Sequence, residues 1–431
     1  MRVVSFPRYE KYKDSGIEWL GEIPEHWELT SGRTCFYEKE VKNKGNQVKT
    51  VLSLSYGNIV IKPEEKLHGL VPESFDTYQI VKPGDIIIRS TDLQNDKTSL
   101  RVGIVKDKGI ITSAYLCLGT TERINPQYAY YLLHSYDLLK IYYGMGSGLR
   151  QNLSIKDFKY LPLTLPSLEE QKRIIEFLDR KTEEIDRAIA HKKRLIELLE
   201  EQKTILINQA VTKGLNPNAP MKDSGIEWLG EIPEHWNFTR LSHVTEKIGD
   251  GIHSTPRYVD SSNYYFINGN NLVEGDIVFF DNTRCVSEQE FNRYNLHLSL
   301  NTLLLSINGT IGNVAYYNGE PIILGKSAAY IKLKNNFYKN FFFYLLSSKA
   351  VEYFFLYEMT GTTIFNLSLK SLNNTFVLLP PLEEQKRIVQ FLDNYTARVN
   401  SLKTKVKNQI NILTELKQIL IAEAVTGKIK I

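Results

Sequence analysis

The sequence predicts a mixed α/β (α+β) chain. Two globular domains are separated by two long antiparallel coiled-coil helices, and an internal pseudo-two-fold repeat relates the halves. Three observations carry this expectation. A fifteen-residue box, Lys13 to Trp27, returns without a change as Lys222 to Trp236, 209 residues later. A heptad-patterned run opening Leu168-Glu169-Glu170-Gln171-Lys172-Arg173-Ile174 has a second copy opening at Leu382, 214 residues on. Between box and run lies, each time, a region of short strand-like segments broken by Gly, Asn and Pro turns. Repetition on this scale sets architecture before any single residue is read.

At 431 residues the chain is too long for one ordinary domain, and 42% hydrophobic residues are ample for buried cores. It shows neither an apolar run of membrane-spanning length nor a signal-peptide core, so a soluble, unexported protein is expected. Cys35, Cys117 and Cys285 are odd in number and scattered, which implies neither a metal site nor a disulfide framework and fits a reducing cytoplasm. A net charge of +4 is too mild to diagnose a nucleic-acid partner.

In chain order, the first box (1–27) offers Trp19, Ile23 and Trp27 as packing anchors and His26 as a structural histidine. Region 28–160 follows, with strands expected at Val51–Ser55, Ile59–Ile61, Asp85–Ile88, Val102–Val105 and Ile110–Ser113, and an aromatic helical stretch at Pro126–Tyr143. The central helix occupies 161–214. From Leu178, a spacing of 4, 3, 4, 3 meets seven apolar residues in ten, and the equivalent positions from Leu392 do the same. This is a coiled-coil seam. Ser167 with Glu170 forms a possible capping box, Pro381 replaces the Ser in the second copy, and Gly214 and Gly427 are suitable stops. A run of about 43 residues spans roughly 65 Å at 1.5 Å per residue.

A linker and the second box fill 215–236. Region 237–377 repeats the first loosely, with strands at Thr302–Ile307, Asn313–Tyr317 and Ile331–Leu333 and an aromatic helix at Tyr338–Tyr357. The last helix takes 378–431. Asn152-Leu153-Ser154 and Asn366-Leu367-Ser368 precede the helices at the 214-residue offset. A compact domain keeps its entry and exit close, so the second helix should start near where the first stops, which makes the pair antiparallel.

Two unlike heads on a rigid spacer make a bivalent reader, with a reach of about one to two DNA turns of 34–36 Å. Candidate DNA-binding side chains in the first region are Arg89, Ser90, Thr91, Gln94, Asn95, Lys97, Arg101, Arg150, Gln151 and Asn152. In the second they are His253, Ser254, Thr255, Arg257, Tyr258, Asn270, Asn271, Asn308, Thr310, Thr362, Thr363 and Asn366. Arg pairs with guanine and Asn or Gln with adenine in the major groove, while Lys and hydroxyls suit phosphates.

The paired Trp boxes and paired Leu-Glu-Glu-Gln-Lys-Arg-Ile helices resemble the specificity (S) subunit of Type I restriction–modification systems across nearly the whole chain. The resemblance implies that 28–160 and 237–377 are target-recognition domains, each reading one half of a split, asymmetric duplex DNA sequence. It implies helices that set the spacer and dock two methyltransferase (M) subunits, with restriction/translocase (R) subunits joining that core. It also implies that this chain binds no cofactor of its own, S-adenosylmethionine, ATP and Mg being held by the partner subunits.

Two other classes are weighed against this. An autonomous adenine methyltransferase should show an Asn/Asp-Pro-Pro-aromatic tetrapeptide and a Gly-rich cofactor loop. Asn216-Pro217-Asn218 is a linker fragment, and Gly144-Met145-Gly146-Ser147-Gly148 leads into a polar segment, so no catalytic residue is expected. A protein-only scaffold would lack the steep salt dependence that phosphate contacts impose.

Overall fold

The structure, a computed structural model, describes residues 6–63, 74–96, 100–145, 152–359 and 365–431. Lys97, Arg150, Gln151, Thr362 and Thr363 lie outside the described residues. The chain forms two compact units, Met1–Lys193 with Lys407–Ile431, and Arg194–Val406. The long helices, Leu168–Lys213 and Leu382–Val425, each contribute one end to each unit.

In the first unit a four-stranded antiparallel sheet runs Phe36–Glu38, Leu116–Thr120, Ile86–Ile88, Val102–Ile104. Ile86 and Ile88 pack with Val102, Leu116 and Leu118, whereas Ile87 faces a separate cluster with Leu52, Val81, Val105 and Ile111. A strand covered on both faces reads as a continuous apolar run, and this is why Ile86-Ile87-Ile88 shows no alternation. Among the strands not expected from the sequence, Glu28–Ser31 and Pro162–Leu165 pair antiparallel and bring the domain's entry beside its exit. The aromatic stretch forms a helix over Pro126–Leu138, with Asn125 Oδ1 accepting from Gln127 N at 2.9 Å and Pro at the first helical position. It stops short of Tyr143 because Lys140 takes φ +61° and starts a 3-10 turn, Ile141–Gly144.

In the second unit the sheet order is Thr245–Asp250, Ala328–Leu333, Thr302–Asn308, Thr310–Tyr316, again all antiparallel. First strand, fourth, second, third: the connectivity matches that of the first unit, although the sequences share little. Leu303, Leu305 and Ile307 face one core and Leu304 the other. Entry strand Asn237–Arg240 pairs with exit strand Phe376–Leu379. The expected Tyr338–Tyr357 helix is two, Lys339–Leu346 and Lys349–Glu358, because the Ser348 side chain caps a fresh start by accepting from Val351 N.

Within each unit the helix segments are antiparallel. Lys417 lies 2.6 Å from Asp186, and Lys192 donates to Gln409 at 2.6 Å, in the first unit. Lys403 bonds Glu200 in the second. Three of the polar seam positions are explained by these pairs: Lys192, Lys403 and Lys417 each cross to the other helix, while Leu178, Ile185, Leu392, Val399 and Val406 are buried.

The boxes fasten the helix ends. Ser167 Oγ accepts from Glu170 N at 3.2 Å, but the Glu170 carboxylate turns to Tyr9 Oη (2.6 Å) and His26 Nε2 (3.1 Å) rather than completing a capping box. His235 meets Glu384 in the second unit at 2.8 Å. Gly214 (φ +76°) and Gly427 (φ +73°) end the helices, and a Cβ on either would touch Trp236 or Trp27 within 3.2 Å. In each unit, therefore, the box histidine holds the first turn of one long helix and the box tryptophan covers the end of the other. Trp27 and Trp236 are fully buried; Trp19 is half exposed beside Tyr136.

Candidate nucleic-acid interface

The first candidate loop leaves strand Ile86–Ile88 at Arg89 and re-enters the sheet through Arg101. Leu153 N donates to Ser90 O at 2.7 Å and Asp92 N to Asn152 Oδ1 at 3.0 Å, which joins Asn152 to the loop. Gln94 and Asn95 are exposed, with Asn95 Nδ2 donating to Asp92 Oδ1 at 2.8 Å. Arg89 and Thr91 are half-buried, and the Arg89 guanidinium lies 2.8 Å from Asp96.

Two expectations here are corrected. Arg101 is 0% exposed: its guanidinium turns inward onto loop carbonyls and Tyr143, out of reach of a duplex. Ser90 is buried just beyond the strand, its Oγ directed to Ala114 O at 3.4 Å and its carbonyl taken by Leu153 N at 2.7 Å.

In the second domain the same stitch recurs. Leu367 N donates to Ile307 O at 2.8 Å, Gly309 N to Phe365 O at 3.1 Å, and Asn308 Nδ2 to Asn366 Oδ1 at 3.3 Å. The duplicated Asn-Leu-Ser motif thus pins the turn at one end of the central sheet in both domains, and its serine caps the short helix that follows. Thr310 is exposed at the turn.

Two second-domain loops and the strand Thr302–Asn308 converge on the turn Gly325 to Ala328. Gly251 N donates to Ala328 O (3.2 Å), Gly269 N to Ser327 Oγ (2.9 Å) and Ile307 N to Ser327 O (2.9 Å). Gly251 is required there, since a Cβ would lie 2.0 Å from Leu324 O. His253, Ser254, Thr255, Arg257, Tyr258 and Asn270 are exposed, and His253 Nε2 lies 2.8 Å from Asp250. Asn271 is corrected as well. It is buried, Nδ2 donating to Val278 O (2.9 Å) and Thr283 Oγ1 (3.3 Å), because it closes the Asn268 turn.

Sequence reasoning passed over several residues of this surface. Exposed Lys326 stands in the turn where the loops meet, and the Arg284 guanidinium lies 5.7 Å from the Tyr258 ring centroid. It also missed a duplicated latch below the domains. Tyr131 Oη donates to Asp179 Oδ1 at 2.5 Å and Tyr344 Oη to Asp393 Oδ1 at 2.7 Å. Burial, and then the neighbouring carboxylate, push both phenols well above the usual tyrosine range. The 214-residue offset of Asp179 and Asp393 was the available signal.

A family model for the Type I restriction modification DNA specificity domain matches residues 20–201 and again 233–412. The chain belongs to this family. It is a non-catalytic specificity subunit with two target-recognition domains, one in each unit. The MjaVIII specificity subunit of Methanocaldococcus jannaschii is 24% identical over 100% of this chain and 98% of its own length. The EcoBI specificity subunit of Escherichia coli is 23% identical over 72% of this chain and 66% of its own. A solved structure from work on complex assembly and conformational transition of the type I R-M system shares the fold. Its TM-score is 0.66 at 19% identity, over 94% of this chain and 98% of that one. Among the described residues no group of three His, Cys, Asp or Glu could hold a metal, and no helix is long and apolar enough to cross a membrane.

Proposed function

We propose that each recognition domain of this specificity subunit reads one half of a bipartite, asymmetric duplex target. The observation that carries this is the pairing of identical sheet order with unlike loops. The same connectivity presents Arg89, Thr91, Gln94, Asn95 and Asn152 in one domain and His253 to Tyr258, Asn270, Asn308, Thr310 and Asn366 in the other. A shared scaffold with different polar side chains suits two different base sequences. The candidates outside the described residues, Lys97, Arg150, Gln151, Thr362 and Thr363, adjoin these loops in sequence and belong to the same proposal.

The long helices set the unread spacer and dock two methyltransferase subunits, with restriction/translocase subunits joining that core. Exposed Leu195, Leu198, Ile205, Leu402, Ile412 and Leu416 on the helices support a docking role. S-adenosylmethionine, ATP and Mg are assigned to those partners, and the complex to the cytoplasm, where the free Cys35, Cys117 and Cys285 would stay reduced. The test is to express the chain with its neighbouring methyltransferase subunit and map modified adenines, with and without four residues inserted after Glu200. A split motif whose spacer lengthens, as roughly 6 Å of extra helix demands, is expected. Altered half-sites in the insertion variant would refute the ruler, and an undivided motif would refute the two readers.

A further inference from the structure

Arg101 is a full-length arginine with no surface. Its five N–H donors meet five acceptors: Nε donates to Tyr143 Oη (3.2 Å), Nη1 to Arg89 O (3.1 Å) and Thr91 O (2.8 Å), and Nη2 to Asp92 O (3.2 Å) and Asp96 O (2.5 Å). That is the complete donor inventory of a guanidinium. Four of the acceptors are backbone carbonyls of the recognition loop. Tyr143 Oη in turn donates to Asp96 O at 3.1 Å, which closes the ring. The Arg101 backbone is held as well, its N–H donating to Asp137 Oδ2 and its carbonyl accepting from Arg89 N at 2.8 Å.

The loop needs such a template. Asp92 takes φ +62°, a left-handed conformation that a residue with a Cβ adopts at a cost and holds where its surroundings impose it. The second domain closes the equivalent strand pair with a short turn, Asn308 to Thr310, and needs no internal cation there. Burying a charge onto carbonyl dipoles is a poor way to gain stability, since an apolar side chain of similar volume commonly does as well. It is a good way to impose one conformation, because every carbonyl that strays leaves a buried donor unmet.

We propose that Arg101 is the specificity-positioning residue of the first recognition domain. It touches no base. By fixing the carbonyls of Arg89, Thr91, Asp92 and Asp96 it sets the directions in which Arg89, Gln94 and Asn95 project, and so determines how sharply the first half-site is read. This rests on the reading that the 89–96 loop faces DNA. Arg101→Lys keeps the charge but offers three donors in place of five, without the planar fork. Tyr143→Phe keeps the arginine and removes the one hydroxyl that links Nε to Asp96 O.

The experiment selects methylated products from a duplex library randomised at both half-sites. It uses the full chain in complex with its methyltransferase subunits, as wild type, Arg101→Lys, Tyr143→Phe and the double variant Gln94→Ala/Asn95→Ala. For Arg101→Lys, discrimination at the first half-site should fall by roughly tenfold, the worth of a misaligned base contact. Tyr143→Phe should act in the same direction and more weakly, and the second half-site should stay as sharp as in wild type. Equal relaxation at both half-sites would reduce Arg101 to a general stabiliser and overturn the proposal. So would relaxation in the Gln94/Asn95 variant with none in Arg101→Lys. If Arg101→Lys yields no soluble complex, Tyr143→Phe decides alone, and unchanged selectivity there overturns the proposal. If none of the three variants alters selectivity, the loop does not read DNA and the underlying assignment fails with it.

Discussion

His134 is a buried residue of the aromatic helix Pro126–Leu138, stacked on Tyr130 one turn before it with ring centroids 5.5 Å apart and its Nδ1 without a hydrogen-bond partner. Burial, with nearby Lys417 second, pushes its pKa down to about 4. The folded value is below the unfolded value of about 6.5, so the unfolded chain takes up the proton first. Stability is therefore fully present above pH 6.5 and is lost as pH falls toward 4, by up to about 3 kcal/mol from this group. Melting temperature against pH for wild type and His134→Leu checks this; the variant should lose less between those limits, and parallel curves would contradict it. Residue chemistry was only half legible in the sequence. Arg89 and Arg101 look alike there, both in a polar stretch between strands, yet one is half exposed and the other has no surface. Which of two neighbouring arginines turns inward depends on where carbonyls converge, and that is set by long-range packing. Asn270 and Asn271 divide in the same way.

The repeated elements were more legible, because periodicity and identical motifs survive in a linear string. Heptads located both helices to within a few residues, and Gly214 and Gly427 end them as their left-handed conformations require. The two glycines are not equivalent in space. A Cβ on Gly427 would lie 2.3 Å from Pro24 Cδ, whereas one on Gly214 would sit 3.2 Å from Trp236. Both alanine variants should be destabilised by roughly 1 kcal/mol through the left-handed strain that a Cβ introduces, but Gly427→Ala should be the more destabilising because a rigid ring stands in its way. Thermal unfolding of the two variants decides, and equal melting shifts would mean that the first box yields freely. Strands were harder to find. The apolar run Asp85–Ile88 was legible as a strand even without alternation, its two faces both being covered, whereas Phe36–Glu38 is too short to show a pattern at all.

For the whole molecule, the paired entry and exit strands define what can be exchanged. Pro162–Leu165 hydrogen-bonds to Glu28–Ser31, so a graft bounded at 160 would separate a strand from its partner. Replacing residues 28–166 with the corresponding region of another specificity subunit should give a soluble chain that changes one half-site only. A graft of 28–160 should give less soluble protein, since an unpaired edge invites association. Adenine mapping and yield together test this, and a change at both half-sites would contradict the separability of the domains.

The sequence by itself determined the duplication, the helices and their stops, and the family, because these are written in local periodicity and exact repetition. Tertiary structure alone decided which loop residues face outward, which glutamate oxygens the box histidines hold, and that two domains of unlike sequence share one strand order. Strand order and side-chain direction are properties of contacts between residues distant along the chain. A surface polar residue and a buried one with satisfied donors differ by their neighbours and not by their own chemistry.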